Sequence, residues 1–424
     1  MPRLPSKLLC LLFTMAIYAV GFFSAVHMMQ SNNDETDLRS RAPVTSTTTR
    51  RSSSIDTPSL SPPIPPSVPP DSESSFIAAL PYPSPSCSPI ENASDVEVTL
   101  VSIASMDRIS SLSTFCSTWS GPMSLAFYTS LPPPEVLLQI KELAPGCGDA
   151  DDRIEVTTRA QTREEEDDNS LFPVNELRNL AVEAVKTSHY VYIDFDFHPS
   201  SKILETILSP SVSAVLASSY KSALVIPAFE RSYLRCSKTI EGLRGWRKKA
   251  FKECVSKLEM PTDMESLKDQ IKRRMTRIFD SRWTSAPHSS TGYNAWYKQD
   301  NGSLRKIECI DSDRYEPYLV VRKCSLLPPY QSSFTGYGKN KASHSLHLRY
   351  LSYDLYALGG AFVVHVPHPA SGAREGWKER GEGGAHKDKM NRLFHGFKDW
   401  LDDKYPNPDK LCNGLRHNDD DMHN

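Results

Sequence analysis

The distribution of apolar and polar positions divides the chain into three stretches. Residues 8–29 are apolar almost throughout, with Thr14, Ser24 and His27 as mildly polar breaks. A helix of that length rises about 33 Å, enough to cross a bilayer core of about 30 Å. From about residue 31 to residue 90 the chain is Ser, Thr and Pro with few large apolar side chains. Such a stretch buries too little surface to offset its chain entropy, so a disordered or O-glycosylated stem is expected. From Asp95 onward alternation returns. Residues 96–103, 125–129 and 153–157 alternate and are β-branched, which predicts strands. Residues 134–143 have helical spacing. A stronger helix is expected over 173–186, with Pro173 in its first turn and Leu177, Leu180, Ala181, Ala184 and Val185 on one face. Residues 189–193 read as a buried strand. Strands and helices in alternation predict an α/β fold with a mainly parallel sheet, whose ligands gather at the carboxyl ends of the strands.

Charge orients the first stretch. Arg3 and Lys7 precede the apolar run, and Asp34, Glu35 and Asp37 follow it, so the positive-inside bias puts the N-terminus in the cytosol and the body in a lumen. A cleaved signal peptide is the alternative, although signal h-regions are typically about 7–15 residues. The expected layout is a cytosolic tail at 1–7, a transmembrane signal-anchor at 8–29, a stem at 30–94, a catalytic domain at 95–411 and a polar tail at 412–424.

Composition adds three points. Lys plus Arg number 49 against 51 Asp plus Glu, a balance that gives no reason to expect nucleic acid as a partner. Of 9 cysteines, Cys10 lies in the apolar run, which leaves an even set of eight that permits disulfides. None forms a Cys-x-x-Cys pair, which argues against a cysteine zinc site. Asn92-Ala93-Ser94 and Asn301-Gly302-Ser303 are N-glycosylation sequons and agree with a luminal body.

The candidate chemistry begins where the strand at 189–193 runs into Asp194-Phe195-Asp196. In an extended chain, carboxylates at i and i+2 point to the same side. Hard oxygen ligands at a strand end suit Mn²⁺ or Mg²⁺, which could bridge the phosphates of a nucleotide-sugar. Two rival readings are a solvated acidic turn and a phosphatase with an Asp-x-Asp nucleophile. The second apolar run, 362–366, carries His365 and is followed by Pro367 and His368. Imidazole is a borderline ligand that suits Mn²⁺, although a histidine in an apolar run is also an ordinary core residue.

Several segments together resemble the glucuronyltransferase domain of LARGE-type enzymes and the related β-1,4-glucuronyltransferases. Pro173-Val174-Asn175-Glu176-Leu177-Arg178-Asn179-Leu180-Ala181 resembles the family's Pro-x-Asn-x-x-Arg-Asn-x-Ala helix. Asp194-Phe195-Asp196-Phe197-His198-Pro199 resembles its metal-binding element, and Val225-Ile226-Pro227-Ala228-Phe229-Glu230 resembles one of its strands. His288, Thr291 and Trp296, then Glu316-Pro317-Tyr318, then Phe334-Thr335-Gly336-Tyr337-Gly338-Lys339-Asn340-Lys341 follow in the family's order. His365-Val366-Pro367-His368 and a closing helix over 398–405 complete the set, which spans 96–405. One departure stands out. The family often has Tyr-Asp-x-Arg-Phe before the glycine loop, and this chain has Tyr330-Gln331-Ser332-Ser333-Phe334.

The resemblance implies a GT-A-type fold and an inverting transfer of a sugar, with glucuronate the first choice, from a UDP-sugar to a glycan or glycoprotein acceptor. It places Asp194, Asp196 and His365 on Mn²⁺, with Mg²⁺ as a second choice. Asn175, Arg178, Asn179, Asp194 and Lys341 would lie at the donor or hold the loops around it. Glu316 and Glu230 are the candidate general bases or acceptor contacts. The expected location is the Golgi membrane, as a single-pass type II protein with a luminal catalytic domain. A catalytically silent relative that binds sugars or a partner enzyme is the alternative.

Overall fold

The computed structural model describes residues 76–78 and 84–416 apart from short internal stretches, the longest at 237–246 and 369–383. The expected membrane span at 8–29 lies outside the described residues, among which no helix is long and apolar enough to cross a membrane.

The alternating segments fold as their patterns predict. Strands β1 (Val98–Ser105), β2 (Met123–Tyr128), β3 (Ile154–Arg159) and β4 (His189–Tyr192) lie side by side in the order β3-β2-β1-β4, all parallel. Helices α1 (Leu112–Thr118), α2 (Pro133–Leu143) and α3 (Val174–Glu183) connect them. Side chains alternate across the sheet, as the two-residue strand period requires. Leu100, Leu125 and Val191 enter one apolar cluster, and Val101, Ala126, Tyr190 and Tyr192 enter the other.

In the second half, strands β6 (Ser222–Ile226), β9 (Leu304–Ile307), β11 (Tyr318–Arg322) and β12 (Asp354–Leu358) extend the sheet to eight strands in the order β3-β2-β1-β4-β11-β6-β12-β9. Two of them, β11 and β9, run against the direction of β1 to β4, and two, β6 and β12, run with it. β11 runs antiparallel to both β4 and β6, so the sheet is mixed α/β rather than parallel throughout. A smaller sheet has the order β5 (Phe197–Pro199), β13 (Val363–His365), β7 (Ala228–Arg231) and β8 (Thr276–Ile278). β5 starts one residue after Asp196. β13 pairs His365 with Phe197 on one side and with Glu230 on the other. The segments holding Asp196, His365 and Glu230 therefore meet along one edge.

Helix α4 (Asn340–Tyr350) has no exposed face beyond its first turn: residues from Ala342 to Tyr350 are all buried. Ser343, Ser345 and Arg349 spend their donors on backbone carbonyls. Ser345 Oγ bonds Tyr315 O, and the Arg349 guanidinium bonds the carbonyls of Tyr353, Ile307, Glu308 and Lys410. Helix α5 (Gly384–Lys404) packs against α4 through His347, Phe397 and Trp400.

Two boundaries differ from the expected layout. The stem was expected to reach residue 94, but Cys87 is bonded to Cys324, Ile90 N donates to Ala217 O, and Phe76 packs edge-on against Phe397 and at a tilt against Trp400 of α5. The tail expected from 412 begins inside a strand. β14 (Leu411–Arg416) pairs with β10 (Ile310–Ser312), and Cys412 is bonded to Cys309. Cys116–Cys147 and Cys236–Cys254 use the remaining cysteines of the even set.

Candidate active site

The chain leaves β4 through a tight turn, not the extended segment that the i, i+2 reading assumed. Phe197 N donates to Asp194 O at 3.0 Å, which closes the turn. The turn sends the two carboxylates to different partners.

Asp194 is held by protein donors on both oxygens. Tyr192 OH donates to Oδ1 at 2.6 Å, Tyr318 OH to Oδ2 at 2.7 Å, and Lys341 Nζ to Oδ2 at 2.6 Å. Arg178 Nη2 stands 3.5 Å from Oδ1. Burial raises the carboxyl's pKa, but Lys341 and Arg178 outweigh it and hold the group below the ordinary aspartate range.

Asp196 faces imidazoles. His368 Nε2 is 2.7 Å from Oδ2 and His365 Nε2 is 3.4 Å from it. One ligand atom from each of Asp196, His365 and His368 lies within 4.8 Å of the others, the one group of that kind found among the described residues. One hard carboxylate and two borderline imidazoles fit Mn²⁺ better than Mg²⁺, which prefers oxygen alone. All three side chains keep partial exposure, so the cluster opens to solvent on one side. His198, on β5, is pushed down to about 4 by burial, against Asp196, and stays neutral near pH 7.

The candidate bases differ in the same way. Glu230 Oε1 accepts from Arg277 Nε at 2.5 Å, so its carboxylate is spent on an ion pair. Glu316 is half-buried and forms no salt bridge among the described residues. Burial raises its pKa, against the pull of Lys341, Lys339 and Arg178. A half-buried carboxyl beside cations and without a committed partner is the arrangement a proton acceptor needs.

A family model described as a glycosyl-transferase for dystroglycan matches residues 133–406. The chain belongs to this glycosyltransferase family. The xylosyl- and glucuronyltransferase LARGE2 of Mus musculus is 32% identical over 276 residues, which is 65% of this chain and 35% of that protein. LARGE1 of Homo sapiens is 30% identical over 282 residues, 66% of this chain and 32% of that protein. The chain thus spans about a third of the length of the curated relatives it matches. A solved structure of GalNAc-T7 with UDP, GalNAc and Mn2+ overlays 73% of this chain and 58% of that one at 9% identity, with a TM-score of 0.35. A likeness at that level carries no argument about the site.

Within this family frame, the residues expected at the donor separate into two groups. Asp194 and Lys341 line the centre. Asn175 and Arg178 are buried and bond the segment at 330–340, the loop-holding half of what was expected of them. Asn175 Nδ2 donates to Gln331 O at 2.9 Å and to Asn340 O at 3.2 Å. Arg178 Nη1 donates to Asn175 Oδ1 and Asn340 Oδ1, and its guanidinium lies over the Tyr192 ring at 4.7 Å and the Tyr330 ring at 5.5 Å. Asn179 exchanges two bonds with the Tyr330 backbone, at 2.8 and 3.0 Å. All three hold the loop that leads into α4, whose first turn carries Lys341. That loop turns through Gly336 and Gly338, at φ 59° and 93°, followed by Lys339 at φ 60°. The two glycines adopt positive φ without the strain a Cβ would bring.

The segment with His288, Thr291 and Trp296 is structural. His288 is buried against Phe279 and pushed down to about 3 by burial, while Trp296 Nε1 donates to Leu358 O at 2.7 Å. Sequence reasoning missed His368 as a member of the imidazole cluster. Its signal was present in the His-x-Pro-His spacing. Tyr192 and Tyr318 were also missed as donors to Asp194, and no local pattern marks them.

Proposed function

We propose that this chain is a metal-dependent, inverting glycosyltransferase of GT-A type, moving a sugar from a UDP-sugar to a glycan or glycoprotein acceptor. The observation that carries the reading is the convergence of Asp196, His365 and His368 beside the Asp194–Lys341 pair. Glucuronate is the favoured sugar, on the resemblance to glucuronyltransferase domains.

Asp196, His365 and His368 would hold the ion, preferably Mn²⁺. Asp194, which the motif also assigns to the ion, is the fourth candidate ligand and is at present committed to Lys341. When bound, the ion supplies Lewis-acid neutralisation of the departing diphosphate. Lys341, fixed by Asp194 and Tyr318, sets a cation where that negative charge develops. Glu316 accepts the proton of the acceptor hydroxyl. That oxygen forms its bond to the anomeric carbon from the face opposite the leaving UDP, and the carbon–oxygen bond to UDP breaks in the same step. Glu230 is set aside as base because Arg277 holds its carboxylate.

The apolar run at 8–29 supports a single-pass anchor with the body in the lumen, and the Golgi membrane suits a glycan acceptor. Four disulfides fit an oxidising compartment.

The test is UDP release by the purified chain from a panel of UDP-sugars, with Mn²⁺ and with EDTA, beside Asp196→Ala. Metal-dependent release from one donor, lost in the variant, supports the reading and names the sugar. Binding of UDP and Mn²⁺ by calorimetry, with no transfer to any acceptor, would favour the silent relative. No binding of either ligand would sink both.

A further inference from the structure

The segment ahead of the domain touches the loop leading into α4 and Lys341 at two places, and touches helix α5, which packs on that loop. Ile77 N donates to Gln331 Oε1 at 2.9 Å, and Gln331 Nε2 donates back to Ile77 O at 2.6 Å. Phe76 packs on Phe397 and Trp400 of α5, with ring centroids 5.1 and 5.7 Å apart, and Phe397 also meets Phe334 of the loop at 5.9 Å. At the loop's start, Cys87 is bonded to Cys324, Ser325 N donates to Pro85 O at 2.9 Å, and Leu326 N meets Cys87 Sγ at 3.2 Å.

The opposite side of the same loop is held by α3. Asn179 binds the Tyr330 backbone, Asn175 binds the carbonyls of Gln331 and Asn340, and Arg178 binds the Asn340 side chain. The loop is therefore gripped on two sides before it delivers Lys341 to Asp194 at 2.6 Å. Gln331 sits at the middle of the grip and is almost fully buried. Its carboxamide pairs with a backbone amide as a neighbouring strand would, one donor and one acceptor to each. A carboxylate at this position, as in the resembling Tyr-Asp-x-Arg-Phe pattern, offers acceptors only and could not make the second bond.

We propose that Gln331 is a positioning residue, and that residues 76–78 form a clasp on it that fixes the loop presenting Lys341 to the donor. The Pro-rich region is then more than a spacer: its last part belongs to the catalytic unit, which already includes Phe76 and does not start at Asp95. The catalytic consequence rests on the transferase reading. The structural consequence does not.

Hydrogen exchange of the full chain in detergent micelles tests the clasp without assuming activity. Gln331→Met keeps the side chain's length and removes both bonds. Ile77→Pro removes only the Ile77 donor, and the Ile77 side chain is 42% exposed, so little packing is lost. Losing the pair of bonds should speed exchange of amides in 327–340 about tenfold, with β1 to β4 unchanged. Ile77→Pro should give a smaller rise, and the double variant should be no faster than Gln331→Met. With the donor identified, KM for the donor should rise several-fold while kcat changes little, and Gln331→Glu, which sets a buried carboxylate oxygen against Ile77 O, should raise it at least as far. Unchanged exchange in 327–340, or an equal rise throughout the domain, would overturn the clasp. Should Gln331→Met not fold, Ile77→Pro alone decides by the same criterion. Faster loop exchange in a chain that releases UDP from no donor would keep the clasp and discard the transferase reading.

Discussion

Two carboxylates, two residues apart, live in opposite surroundings. Asp194 is gripped by two tyrosine hydroxyls and a lysine, with an arginine behind them. Among the described residues, the Asp196 carboxylate is paired with the imidazoles of His365 and His368. The first is committed to protein donors, with Lys341 the nearest cation. The second belongs to the candidate ion group with His365 and His368. Glu230 and Glu316 repeat the contrast, one paired with Arg277 and the other raised by burial and without a salt bridge among the described residues. The lesson is that a carboxylate's role follows from which donors the fold has already committed to it.

The contrast can be broken most sharply at the open side. Asp196→Ala or His365→Ala should abolish Mn²⁺-dependent UDP binding and lower turnover by about a thousandfold or more, since a lost ligand forfeits several kcal/mol of charge stabilisation. Calorimetry and UDP release check both halves. If Asp194→Asn, measured beside them, abolished metal binding equally, the separation of roles would fall.

Glu316→Gln should lower kcat by about a hundredfold to ten-thousandfold, the range of general-base catalysis, with donor KM little changed. Its pH behaviour sharpens the point. The folded-state pKa is raised above the ordinary 4.5, so the carboxylate form accumulates only as pH rises through that higher value. The rate should climb over the same interval, and the glutamine variant should lack that limb. Because the folded protein favours the proton, the wild type loses stability as pH rises through the raised pKa. The variant should therefore melt higher than wild type near pH 7, and the difference should vanish below pH 4.5. A variant that melts no higher would remove the burial argument for Glu316.

On the committed side, effects should appear in stability. Asp194→Ala strands Lys341 and two hydroxyls and should cost about 2–3 kcal/mol, below the upper range for a broken buried pair because the site keeps some exposure. Chemical denaturation measures it. The smallest effect is expected at Glu230. Arg277→Ala and Glu230→Gln should leave turnover within about threefold, because this partly buried ion pair already holds the Glu230 carboxylate away from proton transfer. A hundredfold loss at Glu230 would reverse the assignment of the base.

Much of this was legible in the chain and some was not, for physical reasons. Strands β1 to β4 and helices α2 and α3 were readable because alternation and helical spacing are local. Asp196 and His365 were readable as chemistry because each ends an apolar strand. Helix α4 escaped notice because it is buried all round and carries Ser343, His344, His347 and Arg349, so it shows no apolar stripe. Asn175 and Arg178 were readable as a motif, but their burial was not, since polar residues go inside only where carbonyls and carboxylates await them.

By itself, then, the sequence determined the elements, the family and the two motifs that bring chemistry to strand ends. Only the tertiary structure decided which partner each group received. Lys341 reaches Asp194 across 147 residues, His368 reaches Asp196 across 172, and Gln331 reaches Ile77 across 254. Those pairings arise from the order of strands in two sheets and from the disulfide at Cys87, and no local pattern encodes them. Hydrogen bonds and ion pairs act over a few ångströms, so their partners are set by where the packed core brings distant segments together.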